Sequence, residues 1–238
     1  MANRILVLSH HKCGTRWLGR YLQAIAMQNS LNFCGTHLSY QYPAADIVFL
    51  SNATYDLVSR TDERGVHVVR NPLSIITSAY FSHKSTHALD NWPELRRQRT
   101  LLEQASKEEG LYLTTAFIER PDFYNGAVGP LYGLRSWNYD DPSFITLRME
   151  DLVEAPSAAL RAAFVDLGVA MPIAFPDDAD FTFDRFAEGR QIGEIDEASH
   201  YRSGSADDWR HHLPDPLIRY IVAHMQPLFE RFYPEALA

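Results

Sequence analysis

The feature that most constrains the fold is a change of pattern near the start of the chain, in residues 4–17, RILVLSHHKCGTRW. The first half is an apolar run typical of a buried strand. From Thr15 the apolar side chains recur every three to four residues, which predicts a helix. The loop between them holds Lys12 and Gly14. A strand that enters a helix through such a loop directs free backbone N–H groups and the helix dipole at the loop. The sequence therefore predicts a phosphate or sulfate site there.

Composition limits the class of protein. The chain has 238 residues, a formal charge of −8 at pH 7 and 46% hydrophobic residues, which suits one α/β domain with a sizeable core. The negative charge and the lack of a basic run argue against a nucleic-acid partner. The two cysteines, Cys13 and Cys34, have the spacing of neither a metal site nor a disulfide framework. We therefore expect a cytoplasmic protein, and no stretch predicts a membrane span.

A second strand-to-helix corner follows at residues 66–80. Residues 66–69 are a short apolar strand that ends at Arg70. Asn71 can cap a helix and Pro72 suits the first helical position, so a helix should begin there. Ser78 lies eight residues after Arg70, about two turns into that helix. Because open α/β sheets bind ligands beyond the carboxyl ends of their strands, Arg70 is a candidate binding residue.

The rest of the chain completes a single domain, residues 1–238. Apolar runs predict two more strands, and helical patterns predict further helices, whereas residues 30–42 have no clear pattern. Residues 82–140 are the least regular part, and we interpret them as a helical insertion that covers one side of the site. The predicted strands are 46–50 and 143–148, and the predicted helices are 53–60, 93–109, 111–119, 156–167 and 216–232.

Three segments together resemble the signatures of sulfotransferases that use 3′-phosphoadenosine 5′-phosphosulfate (PAPS). Residues 12–17, KCGTRW, resemble the PKSGTTW loop of that family. Arg70 and Ser78 have the type and spacing of the pair that holds the 3′-phosphate of PAPS. Residues 201–210, YRSGSADDWR, resemble the RKGxxGDW segment, with Ser203 in place of the lysine. The order of the three segments along the chain agrees with the family.

The resemblance implies an α/β protein with a three-layer P-loop-like fold, in which helices flank a central, mostly parallel sheet. It implies sulfuryl transfer from PAPS to a hydroxyl or amine of a small-molecule or glycan acceptor, without a metal, leaving the product PAP. Lys12 would stabilise the leaving phosphate oxygen. The cofactor-binding residues that it implies are Lys12, Cys13, Gly14, Thr15, Arg16, Trp17, Arg70, Ser78, Arg202, Ser203 and Gly204.

The general base does not carry over from the family. Familiar members have a histidine in a KTH segment after the second strand, where this chain has FLSN at residues 49–52. Neutral histidine suits the role, so the remaining histidines are candidates. We expect His11, beside Lys12, or His83, one turn beyond Tyr80, to be catalytic; the other candidates are His10 and His37.

The acceptor and two rival functions stay open. Aromatic residues of the insertion are candidates for an acceptor pocket, although core packing is their commoner role. A P-loop kinase or NTPase lacks support because no GK[ST] follows the loop. A catalytically inactive nucleotide-binding protein remains possible, because Ser203 and Met149 replace a family lysine and tyrosine. The sequence does not reveal the oligomeric state. The aromatic candidates are Phe123, Tyr124, Tyr132, Trp137 and Tyr139.

Overall fold

The structure, a computed structural model, describes residues 4–37, 44–61, 63–89, 92–169 and 172–237. The strands are β1 (Ile5–Leu8), β2 (Phe33–Thr36), β3 (Ile47–Leu50), β4 (Gly65–Val69) and β5 (Phe144–Arg148). The helices are α1 (Thr15–Gln28), α2 (Tyr55–Val58), α3 (Pro72–Phe81), α4 (Pro93–Gln104), α5 (Lys107–Ile118), α6 (Pro130–Arg135), α7 (Met149–Glu154), α8 (Pro156–Asp166), α9 (Phe183–Phe186), α10 (Asp215–His224) and α11 (Gln226–Phe232). A π-helical turn, Ser82–Thr86, extends α3.

The described strands form one sheet in the order β2-β3-β1-β4-β5, and every neighbouring pair is parallel. The chain after β1 moves to one side of that strand, whereas the chain after β4 moves to the other. Ligands of open α/β sheets bind at such a reversal, beyond the carboxyl ends of the two strands. The predicted fold class is confirmed, and the loops after β1 and β4 lie at the reversal.

Helices cover both faces of the sheet. Alternate residues of a strand point to opposite faces. Ile5 and Val7 of β1 accordingly pack with α1, while Leu6 and Leu8 pack on the other side with Trp137. All four are buried, as expected for a strand enclosed in a parallel sheet. The result is the three-layer arrangement that the resemblance implies.

Residues 82–140 contribute to the core. Apolar side chains of α4, α5 and α6 form one buried cluster with those of α3, α10 and α11. The helix predicted over 93–109 was wrong in its extent, since α4 ends at Gln104. Ser106 caps the next helix by accepting from the Glu109 N–H, and the Glu109 carboxylate accepts from the Ser106 N–H. This capping box starts α5 as a separate helix.

Two further predictions need correction. Residues 30–42 contain β2, which the sequence left unassigned; residues 38–43 of that range lie outside the described residues. The final predicted helix, 216–232, is interrupted at Met225, because Pro227 has no N–H for a continuous ladder and starts α11 instead. Within the described part of the chain, no helix is long and apolar enough to cross a membrane.

Candidate functional site

The carboxyl ends of β1 and β4 open onto a cavity of about 660 Å³. Its walls come from the loop after β1, from α3 with the π-helical turn, and from residues 181–209. Of the predicted cofactor-binding residues, Cys13 alone does not line it, because the Cys13 side chain is buried in the core. The predicted residues that do line the cavity are Lys12, Gly14, Thr15, Arg16, Trp17, Arg70, Ser78, Arg202, Ser203 and Gly204.

The loop after β1 has a tight and strained backbone. Lys12 and Gly14 both have left-handed conformations, with φ of 67° and 65°. Such a φ is unusual for a lysine, and strained residues of this kind cluster at functional sites. The positive φ at position 14 favours glycine, and a Cβ there would also force the end of the Met149 side chain to move. No side chain caps α1, so the first amides of that helix point unpaired toward the loop, as an anion site requires.

Arg70 joins the two strand-to-helix corners. Its Nη1 donates to the carbonyl of Lys12 at 2.8 Å, so the residue that ends β4 holds the loop that follows β1. Both side chains are half-buried and line the same cavity. Burial, together with the charges of Arg70 and Arg16, lowers the pKa of Lys12 to about 7. Such a concentration of positive charge in an acidic protein indicates an anionic ligand.

A third segment packs over the start of α3. Ser74 of α3 donates from Oγ to the carbonyl of Ala206 at 2.6 Å. Arg202 forms an ion pair with Asp208, and its guanidinium lies 4.1 Å from the ring centre of Phe81. The Nη1 of Arg202 is nevertheless buried and has no hydrogen-bond partner in the described part of the chain. Because an unsatisfied donor on a charged group is costly, this atom indicates a ligand at that end of the cavity.

The opposite part of the cavity wall is apolar and aromatic. Trp17 is 6% exposed, stacks on Tyr21 with ring centres 5.6 Å apart, and donates from Nε1 to the carbonyl of Phe181 at 2.7 Å. Trp17 thus belongs to the core and also borders the cavity. Phe183 and Met149 line the same region. Flat apolar walls of this kind suit a planar ring.

The two predicted catalytic histidines form a direct pair. His11 is half-buried and lines the cavity, whereas His83 is fully buried and does not line it. Their Nε2 atoms lie 2.9 Å apart, a hydrogen-bond distance and shorter than the about 3.3 Å expected for two imidazoles on one tetrahedral zinc. Burial lowers the pKa of each ring well below its usual value, with Lys12 among the charges that add to the effect. Both rings are therefore neutral at pH 7.

The other two candidate histidines lie elsewhere. His10 is buried and bonds His67, also through Nε2, at 2.8 Å. His37 contacts Tyr124, with ring centres 5.2 Å apart. Neither His10 nor His37 lines the cavity.

Three residues near the paired histidines escaped the sequence analysis. His87 stacks on His11 with ring centres 5.2 Å apart, and His200 also lines the cavity. The spacing of four residues between His83 and His87 is a helical signal that could have indicated a shared face. Gln98 contacts His83, and nothing in its sequence context marks it.

The aromatic residues proposed for an acceptor pocket do not line the cavity. Phe123 and Trp137 are buried in the hydrophobic clusters, and Tyr124 and Tyr139 lie against them. The ring of Tyr132 contacts the guanidinium of Arg135. The cavity is lined instead by other residues of the described chain, several of them polar. Among these are Thr86, Ala88, Glu197, Ser199 and His200.

Comparisons with known proteins identify the fold. No family model and no curated protein matches the sequence. Among solved structures, the mouse sulfotransferase SULT7A1 complexed with PAP is similar, with 14% identity, a TM-score of 0.62, and coverage of 96% of this chain and 85% of that one. Retinol dehydratase is similar in two complexes with PAP, one holding androsterone and one retinol, at 10% and 12% identity. Both have a TM-score of 0.54 and cover 96% of this chain and 81% of theirs.

These likenesses establish that the chain has the fold of PAP-binding sulfotransferases. Three short segments of the sequence had predicted the same fold. Sequence identities of 10–14% leave the activity to be argued from the residues of the cavity.

Proposed function

We propose that this protein is a PAPS-dependent sulfotransferase. The observation that carries the proposal is the hydrogen bond from Arg70 to the Lys12 carbonyl, at 2.8 Å. It makes two anion-binding corners the walls of one cavity, as a nucleotide with phosphate groups at both its 3′ and 5′ positions requires. PAP in the three similar structures supports the same ligand class.

The residues present fit this nucleotide. The loop amides of Gly14 and Thr15, the Lys12 ammonium and Arg16 would hold the 5′-phosphosulfate. Arg70, Ser78 and Arg202 would hold the 3′-phosphate, and the unpartnered Nη1 of Arg202 gives that phosphate a donor. Charge-assisted hydrogen bonds contribute about 1.5–3 kcal/mol each, so three or four suffice for firm binding. Trp17 would lie against the adenine. Ser203 is 5% exposed and offers a hydroxyl where the family has a charged lysine.

Two side chains would carry the chemistry. PAPS supplies an activated sulfuryl group. Lys12 would stabilise the charge that develops on the leaving phosphate oxygen, an electrostatic role that needs its protonated form. The pKa of about 7 in the free protein should rise when an anion binds beside it. His11 would take the proton of the acceptor, because it borders the cavity and is held neutral. His83 has no access to the cavity and so cannot contact the acceptor directly.

The acceptor should be a small polar molecule with a hydroxyl or amine, glycans included. Thr86, His87, Glu197, Ser199 and His200 line the cavity together with His11 and can offer polar contacts to a hydroxyl or amine. A steroid would use few of these polar contacts. A panel of amino alcohols, sugars, phenols and steroids tests the point. Preferred turnover of the steroid would contradict it.

Turnover with radiolabelled PAPS tests the function itself. Lys12→Ala should nearly abolish sulfate transfer while the protein stays folded, and Lys107→Ala, which removes an exposed lysine outside the cavity, should not. Thermal-shift assays should show stabilisation by PAP and none by ATP with magnesium. Stabilisation by ATP with magnesium alone would favour an NTPase. Binding of PAP without turnover on any acceptor would favour an inactive nucleotide-binding protein.

A further inference from the structure

Helix α4 contacts His83, the buried member of the histidine pair, through its ring and its backbone. Gln98 of this helix is 4% exposed, and its Oε1 lies 2.9 Å from Nδ1 of His83. The adjacent Arg99 donates from Nε to the carbonyl of His83 and from Nη2 to the carbonyl of His87, each at 2.7 Å. These carbonyls lie in and directly after the π-helical turn, a form of helix found mostly at functional sites. Both the backbone and the ring of His83 are thus fixed by α4.

The contact with Gln98 determines which ring nitrogens carry protons. An amide oxygen only accepts, so the proton of His83 lies on Nδ1 and its lone pair on Nε2. The 2.9 Å bond between the two rings then requires a proton on Nε2 of His11. Neutral His11 consequently has its lone pair on Nδ1. Within the described residues, this nitrogen has no hydrogen-bond partner and is left for a ligand.

We propose that Gln98 is a positioning residue that acts through His83 to keep His11 in the tautomer whose free Nδ1 accepts the proton of the acceptor. The inference rests on the proposed function, in which His11 is the base. Gln98 does not line the cavity, so it touches neither substrate. It would act only through the orientation and protonation of the two rings.

The surroundings of Gln98 favour this role over a purely structural one. The rings of Trp92, Phe117 and Phe123 lie around His83, so the Gln98 amide reaches His83 in largely aromatic surroundings. The Nε2 of Gln98 is itself buried and has no partner among the residues that the structure describes. An unsatisfied buried donor destabilises a protein. A polar group retained here despite that cost is expected to serve His83.

The arrangement gives the proton a complete path. His11 accepts the proton on Nδ1 as the O–H (or N–H) bond of the acceptor breaks, and that electron pair forms the new bond to sulfur. The bond from sulfur to the phosphate oxygen breaks, and its electron pair leaves with PAP. His11 can pass its Nε2 proton to Nε2 of His83, whose Nδ1–H remains bonded to Gln98. The positive charge is shared by two rings, and one proton per turnover leaves from Nδ1 of His11, the ring that borders the cavity.

The charge around the pair explains why a neutral amide stands at position 98. The groups that act on the two rings are basic or neutral, and with burial they lower the pKa of both histidines. His11 therefore stays available as a base. A carboxylate at position 98 would raise these pKa values, because it would stabilise the charged ring. Besides each other, the groups facing the two rings are Lys12, His87, His200, Gln98 and Arg99.

Two substitutions separate the positioning role from packing. Gln98→Met removes the acceptor oxygen and should lower kcat by about 10–100-fold, as outer partners of metal-bound imidazoles do when lost, with the KM for PAPS within twofold. Gln98→Glu keeps an oxygen at His83 Nδ1 but adds charge, so the acid limb of the kcat/KM profile should move up by about one pH unit or more. The same changes at Gln104, an exposed residue of α4, are the matched controls and should alter neither quantity.

Nitrogen-15 spectra of labelled histidine test the tautomers without any turnover. In the wild type, His83 should carry its proton on Nδ1 and His11 on Nε2; Gln98→Met should change this pattern and Gln104→Met should not. An unprotonated Nδ1 on His83 in the wild type would overturn the inference. So would a Gln98→Glu variant whose kcat/KM falls on the acid side at the same pH as that of the wild type. If the tautomers are as expected but no acceptor is sulfated, the proposed function fails and the assignment of Gln98 to the histidine pair stands.

Discussion

Two neighbouring histidines of one loop each pair with a distant histidine, and the two pairs differ in their surroundings. His10 bonds His67 and His11 bonds His83, each through Nε2, at 2.8 and 2.9 Å. The first pair is sealed in the core, where His67 stacks on Trp137 with ring centres 3.6 Å apart. The second pair has one member on the cavity. The same hydrogen bond therefore lies in the core in one place and at the wall of the cavity in the other, where we propose that His11 acts as a base.

The backbone explains the division. Side chains of an extended strand alternate between the faces of a sheet, and Leu6, Leu8 and His10 continue one series. Their face is the one covered by Trp137, which His10 contacts edge-on with ring centres 5.8 Å apart. Position 133 must be glycine, because a Cβ there would lie 2.8 Å from Nδ1 of His10. One residue later, His11 has left the sheet and borders the ligand cavity.

The largest expected effect comes from His11→Asn. Loss of a general base typically lowers kcat by about 10²–10⁴-fold. Asparagine retains a donor for His83, so PAP affinity and the urea midpoint should change little. Steady-state turnover and calorimetry with PAP measure these quantities. His37→Asn, away from the cavity, is the control. A kcat within threefold of the wild type would show that the pair at the cavity is as structural as the buried one.

His10→Leu tests the packing role of the buried pair. Removing one partner of a buried hydrogen bond leaves Nε2 of His67 unsatisfied, which should lower the free energy of unfolding by about 1–3 kcal/mol. Turnover per folded molecule should stay within threefold. Urea unfolding measures the free energy. Steady-state turnover, divided by the concentration of sites that titrate with PAP, measures the turnover per folded molecule. In His10→Leu/His67→Leu, part of the stability should return, because neither partner is then left unpaired. An unstable double variant or a large loss of kcat would contradict a packing role.

The fold could be predicted from local patterns, whereas the division of labour between the histidines could not. A buried strand, a loop with Lys12 and Gly14, and a capped helix after Arg70 are each visible in a short window of sequence. Partner choice depends on residues far apart in the chain: His83 and Gln98 meet His11 only after the π-helical turn and α4 have packed. The same distance effect hid β2 and left open whether the insertion's aromatic residues line the cavity or pack in the core. Those rings pack against helices that the sequence did not show to be neighbours.

The pH dependence of activity should report the protonation of Lys12. The pKa of Lys12 is lowered to about 7, and in the proposed mechanism Lys12 must be protonated to stabilise the leaving oxygen. kcat/KM, which reports the free enzyme, should therefore fall about tenfold per unit above pH 7. In kcat the fall should occur at higher pH, because the bound anion favours the charged lysine. His10→Leu should share both profiles, since His10 lies outside the cavity. If kcat and kcat/KM fell at the same pH, this result would count against contact between Lys12 and the phosphosulfate.

The smallest effect concerns the stability of the buried pair at different pH. Burial lowers the pKa of His10 from 6.5 to about 3. Between these values the unfolded chain binds a proton that the folded chain does not, so the stability contributed by neutral His10 is complete above pH 6.5 and is lost as pH falls toward 3. His10→Leu lacks this dependence. The free-energy cost of the substitution should therefore shrink by about 1 kcal/mol from pH 7.5 to 5.5 in paired urea titrations. A constant cost would show that His10 can be protonated in the folded protein, and the sealed pair would then resemble the one at the cavity.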